Sequence, residues 1–199
     1  MRLQIIIPRL SNFLFFIQKT DKQILTGFDL KNYFPSENFD LLFYEKSNDK
    51  IWEQIEKGTG KERLKQFQKS IKPLETTFNP YWRKEAKHLL SCKKYFQSNE
   101  LLLQRVIIDM KRLSGTQHFT FTHIPIYFIS DFTHSDDEIH AWFSWMPKKS
   151  FMVVEIPPYF EPRDDLFPIG VLAHEFFHLI LRKNKNLFSK IGKIAEDNK

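Results

Sequence analysis

The sequence predicts an α+β fold: a helical N-terminal region, then a small mixed β-sheet packed on a buried helix close to the end of the chain. Three observations predict it. Residues 1–115 carry apolar positions at helical spacing, punctuated by capping and stopping residues. Residues 119–157 hold three short runs rich in β-branched and aromatic residues. Residues 167–183 form an apolar run interrupted by His174, Glu175 and His178. The chain divides into a helical region, 1–115, and a second subdomain, 116–199, or forms one compact domain.

The elements follow in order. Leu3 to Ile7 is a short strand or the first turn of a helix through Phe16. Residues 20–45 read as irregular, with Pro35, Ser36 and Asn38 marking a turn. Ile51 to Glu56 predicts a short helix ended by Gly58-Thr59-Gly60, and Lys61 to Lys72 another, stopped by Pro73. Asn79-Pro80 opens a helix through Tyr95, and Asn99 opens one through Arg112, closed by Ser114-Gly115. The strands are Thr122–Ile129, Ile139–Met146 and Phe151–Ile156, the last two joined by a turn at Pro147-Lys148-Lys149-Ser150. Ala141, Phe143 and Trp145 share one face of the second strand. Asp164 and Asp165 are N-cap candidates for the helix over 167–183, and Pro168 suits its first turn. Arg182 and Lys183 complement the helix dipole at the other end, and Asn184 is the stop. A final helix spans Leu187 to Asn198, with Phe188, Ile191, Ile194 and Ala195 on its apolar face.

Composition narrows the function classes. The chain has 199 residues, 42% of them hydrophobic, which is globular and sufficient for a core. Its 30 basic and 24 acidic residues are interleaved, so the net charge of +6 comes with no basic block or recognised nucleic-acid module. The densest basic stretch, Lys57 to Lys72, reads as a solvated helix face. Gly58-Thr59-Gly60-Lys61 fails as a phosphate loop, because Ile55 stands where the first glycine belongs and Glu62 where Ser or Thr belongs. No stretch reaches the 18 apolar residues of a membrane span. Cys92 is alone, which excludes an intrachain disulfide and fits a reducing, cytoplasmic setting. It reads as a small buried residue. No small-residue cleavage site follows the apolar N-terminus, so no signal peptide is expected.

The chemistry lies at His174-Glu175-Phe176-Phe177-His178. Histidines four apart share a helix face, and their imidazoles can hold one zinc ion together. Glu175 is placed to act as general base on a zinc-bound water. In a buried helix each unpartnered polar side chain costs roughly 1–3 kcal/mol, and zinc gives both histidines a partner. The alternative is a pair of core histidines bonded to backbone. His134, Asp136, Asp137 and His140 are ligand types in a loop without regular geometry, read as solvated. Glu155 reads as a sheet-surface charge.

Strands followed by a helix carrying this motif resemble the N-terminal subdomain of the zincin metallopeptidases, and most closely the gluzincin, thermolysin-like group. His140-Ala141-Trp142-Phe143 is similar to the Asn-Ala-aromatic-aromatic stretch of that group's edge strand, with His140 in place of asparagine. The resemblance covers residues 120–183. It implies zinc held by His174, His178, a third protein ligand and a water. It also implies that Glu175 passes the water's proton to the leaving amine, and that a peptide lies along Ala141, Trp142 and Phe143. Gluzincins take the third ligand from a later helix, and Glu196 has the matching spacing; Asp197 is the aspartate alternative. The metzincin pattern fails at Leu181 and Asn184. The end of the chain also reads as a helix cut in mid-course, so a C-terminally truncated member, with its third ligand in a longer parent, is an alternative.

The expectation is therefore a zinc metalloendopeptidase acting on peptide or protein substrates, without nucleic-acid or membrane partners. The rivals are a non-catalytic zinc-stabilised interaction domain and a regulatory peptidase resembling the ImmA/IrrE group, with one protein target.

Overall fold

The computed structural model describes residues 3–19, 48–118, 124–132, 138–146, 149–161, 166–184, 186–187 and 189. The expected irregular stretch 20–45, the loop at His134–Asp137, the N-cap candidates Asp164 and Asp165, and residues 190–199 with Glu196 and Asp197 lie outside them. The described elements are β1 (Gln4–Ile6), α1 (Arg9–Lys19), α2 (Asn48–Thr59), α3 (Lys61–Ser98), α4 (Glu100–Leu113), β2 (Pro125–Ser130), β3 (His140–Met146), β4 (Lys149–Ile156) and α5 (Phe167–Lys183). The fold is mixed: helices around a four-stranded sheet of order β1-β2-β4-β3. β1, β2 and β4 run parallel, and β3 lies antiparallel to β4 at one edge. The sheet thus takes strands from both sides of residue 115.

Strand alternation separates two cores. Tyr127, Ile129, Phe151 and Val153 face α1, α2 and the first half of α3. Ile126, Phe128, Met152, Val154 and Ile156 face the second half of α3, α4 and α5. Phe78 of α3 packs against Phe13 and Phe16 of α1, with ring centroids 5.0 and 5.3 Å apart, which fixes α1 to the first layer. Cover on both faces explains why β2 is buried throughout. It also corrects the reading of Glu155. That residue is buried, because its face of the sheet lies beneath the first helical layer instead of in water.

The break expected at Pro73 does not occur. α3 runs unbroken through Pro73 and Pro80, so the two separate helices expected there are one. Leu64, Ile71, Phe78, Glu85 and Cys92 recur every seven residues along its buried stripe. Both prolines fall on the exposed side, where carbonyls that lose an intrahelical partner reach water and the helix can bend. Burial of a continuous stripe therefore outweighs the local cost of proline. Gly60, at φ 85, lies between α2 and α3 and takes a backbone conformation strained for other residues. Gly58 and Thr59 belong to the last turn of α2, so the break is Gly60 alone, and the basic residues after it are exposed, as expected of a solvated face.

Polar side chains finish the sheet. Beyond the last β1–β2 pair, the Asn12 carboxamide continues the edge: its Nδ2 donates to the Phe128 carbonyl at 3.1 Å, and its Oδ1 accepts from the Ser130 amide at 2.8 Å. Ser130 Oγ donates to the buried Glu85 carboxylate at 2.9 Å. On the outer side of β1, the Leu3 amide donates to Glu100 at 2.9 Å, and Lys93 donates to the Ile5 carbonyl at 2.8 Å. That edge is closed to further strands. Among the described residues no helix is long and apolar enough to cross a membrane.

Candidate metal centre

α5 matches the expected span, 167–183. Leu166 occupies the N-cap without a side-chain cap bond, and Pro168 lies in the first turn, where its missing N–H costs nothing. At the far end the Asn184 amide bonds the carbonyls of Ile180 and Leu181. Its side chain donates to the Ser114 carbonyl at 3.0 Å, tying the end of α5 to the end of α4.

The helix is two-sided, which corrects the expectation of a buried one. Ile169, Leu172, Ala173, Phe176 and Leu179 pack into the second core, whereas Gly170, His174 and His178 are exposed and Glu175 is half-buried. A 3.6-residue repeat sorts these positions onto opposite faces although the run is nearly all apolar. Water can reach the two histidines, so the burial argument for a metal falls away. Geometry replaces it.

Ligand atoms of His174, Glu175 and His178 lie within 4.8 Å of one another, and among the described residues this is the grouping of that kind. The two Nε2 atoms are 2.9 Å apart, with the rings nearly perpendicular at 87°. Nitrogens 2.9 Å apart and each about 2.0–2.1 Å from a zinc ion subtend roughly 90° there, so a slight parting of the rings reaches the tetrahedral angle. Two imidazole nitrogens suit zinc as donors, and the Glu175 carboxylate lies beside them.

Glu175 is joined to the sheet. Its carboxylate accepts a hydrogen bond from the Phe143 backbone amide of β3. Burial raises its pKa above the ordinary value; the charges of His178 and His174 and the Phe143 bond offset part of that rise. In an antiparallel ladder alternate residues direct both backbone groups away from the partner strand. Phe143, with Ala141 and Trp145, therefore directs its backbone groups to the outer edge of β3, which no described strand pairs. Nothing in the residue pattern announced the amide contact, because it depends on which way a backbone N–H points.

The remaining candidates are spread out. Ala141 and Phe143 pack on the α5 side of the sheet. Trp142 points to the opposite layer and stacks on Phe15, with centroids 6.0 Å apart. His140 is exposed at the start of β3, opposite Glu155. Glu196 lies outside the described residues. Cys92 is fully buried, as expected, and burial pushes its thiol up to about 12. His88 Nε2 is 3.8 Å from that sulfur but 3.0 Å from the Pro157 carbonyl, an acceptor only, so the ring nitrogen carries a proton and cannot activate the thiol. Comparison with protein-family models, with curated proteins and with solved structures gives no match for this chain.

Proposed function

We propose that this chain is a zinc-dependent peptidase that hydrolyses peptide bonds at the cluster on α5. The observation that carries the reading is the convergence of His174, Glu175 and His178 beside the outer edge of β3, which no described strand pairs. His174 and His178 would hold the ion through Nε2, and the sequence candidate for a third protein ligand is Glu196. Zinc, when bound, supplies Lewis acidity toward a carbonyl oxygen and toward a water. Glu175 accepts the proton of the attacking water at a carboxylate oxygen and delivers it to the amine nitrogen as the C–N bond breaks. The Phe143 amide holds the carboxylate in place.

The two sheet edges support a peptide substrate. β1 has its outer groups taken by Glu100 and Lys93, whereas β3 turns the backbone groups of Ala141 and Trp145 outward next to the cluster. An extended chain pairs with such an edge by main-chain hydrogen bonds.

Metal content and cleavage of unfolded casein test the proposal. The expected result is about one zinc per chain, lost in His174→Ala and His178→Ala and kept in Glu175→Gln. Glu175→Gln is expected to slow cleavage by about 10²–10⁴-fold. A chain that retains no zinc, or equal cleavage with Glu175→Gln, rejects the reading. Glu196→Ala in the same series decides whether that residue is the third ligand.

A further inference from the structure

The buried stripe of α3 runs from Leu64 to Phe96, and the opposite side of the helix carries charge of one sign. Lys65, Lys69, Lys72, Arg83, Lys87 and Lys94 are exposed there. The acidic residues interleaved with them in the sequence turn away: Glu85 is buried and bonded to Ser130, and Glu75 is half-buried. Among the described residues of α3 only Glu62 is an exposed acid, and it lies in the first turn, paired with Lys65 at 3.0 Å. α1 adds to the row. The exposed Arg9 donates to Asn79 at 2.8 Å, which sets its guanidinium in the interval between Lys72 and Arg83. At 1.5 Å per residue the row from Lys65 to Lys94 is about 44 Å long.

We infer that this face of α3 is a docking surface for double-stranded DNA, gripped through its phosphates without regard to base sequence. A straight row of fixed positive charge complements a stiff duplex that carries one negative charge per about 1.7 Å of its axis, and the row matches about 13 base pairs. Gln66 and Thr76, exposed along the row, are side chains that hydrogen-bond phosphate and sugar oxygens. A bilayer fits less well. An amphipathic helix holds a membrane by burying its apolar face there, and that face of α3 is committed to the core. A single strand fits less well too, because it stacks its bases on open aromatic rings. Tyr81, the exposed aromatic of this stretch, packs against Phe16 with centroids 5.8 Å apart. The surface is independent of the cluster on α5.

Fluorescence anisotropy of the full chain with a labelled DNA duplex of about 25 base pairs, roughly twice the length of the row, tests this. The affinity is expected to fall about 10³-fold between about 50 and 200 mM salt, with a logarithmic slope near about −5 for roughly six phosphates. A second duplex of unrelated sequence is expected to bind within about threefold of the first. Lys72→Gln combined with Arg83→Gln is expected to weaken binding at least about tenfold and to flatten the slope by about two, with an unchanged melting temperature. Arg105→Gln combined with Arg112→Gln removes the same charge from the exposed side of α4 and is expected to bind as the wild type does. No binding at about 50 mM salt, or equal losses in the two double variants, overturns the inference. So does tighter binding to an RNA duplex, to the single DNA strand or to vesicles rich in phosphatidylserine than to the DNA duplex.

Discussion

The Phe143 backbone amide donates a hydrogen bond to the Glu175 carboxylate, so the edge strand and the helix of the candidate metal site meet at the proposed general base. This amide points away from β4, and replacing it removes no ladder bond; proline is tolerated at such edge positions. Phe143→Pro is expected to fold and to bind zinc, but to cleave casein about 10–100-fold more slowly, because the carboxylate loses its positioning contact. Phe143→Leu keeps the amide and is expected to stay close to wild type. Equal rates for the proline and leucine variants would show that the contact positions nothing.

Glu175 carries a stability cost that its removal should reveal. Burial raises its pKa above the ordinary 4.5. The folded chain therefore holds this proton more tightly than the unfolded chain. The stability it contributes is complete below pH 4.5 and is lost as pH rises through the raised value. In protein stripped of metal by a chelator, Glu175→Gln is expected to melt higher than wild type at neutral pH, and the two should converge in acid. Thermal melts of both across that range check it; identical curves would mean that the carboxylate is not strained by its site.

Cys92 is expected to be inert in the folded chain. Its thiol, pushed up to about 12 by burial, supplies almost no thiolate at neutral or mildly basic pH. Iodoacetamide should label it only after unfolding, which mass spectrometry reads directly. The same shift has a thermodynamic consequence. The unfolded chain loses this proton near pH 9.0 and the folded chain near pH 12, so stability falls as pH rises through that window. Cys92→Ala should flatten the fall, seen in denaturant titrations at increasing pH.

Asn12 acts as a short extension of β1. Asn12→Leu leaves the Phe128 carbonyl and the Ser130 amide without their partner in a buried setting. The expected loss is about 2–4 kcal/mol, seen as a lower urea midpoint with an unchanged slope. A loss below about 0.5 kcal/mol would mean that water or a backbone shift replaces both bonds.

Local pattern made much of this molecule legible. The three strands over 119–157 emerge with ends shifted by a few residues, and the helices at 100–113 and 167–183 fall where apolar spacing and the stop residues put them. His174, Glu175 and His178 converge because a four-residue spacing on a helix leaves them little choice. The burial of Cys92 agrees with its lone, apolar setting.

Other properties depended on what packs against what. Pro73 and Pro80 are strong local stops, yet α3 passes through both, because its seven-residue stripe is buried in two cores while the prolines face water. Glu155 looks like a surface charge until the first helical layer covers its side of the sheet. The apolar run around the metal motif looks buried on all sides, and only the position of the sheet and α4 decides which face stays open. The sequence by itself determined the cluster, since helix geometry is local. The tertiary structure alone decided that Glu175 meets the edge strand and that the histidines face outward, since both depend on how elements distant in sequence are brought together.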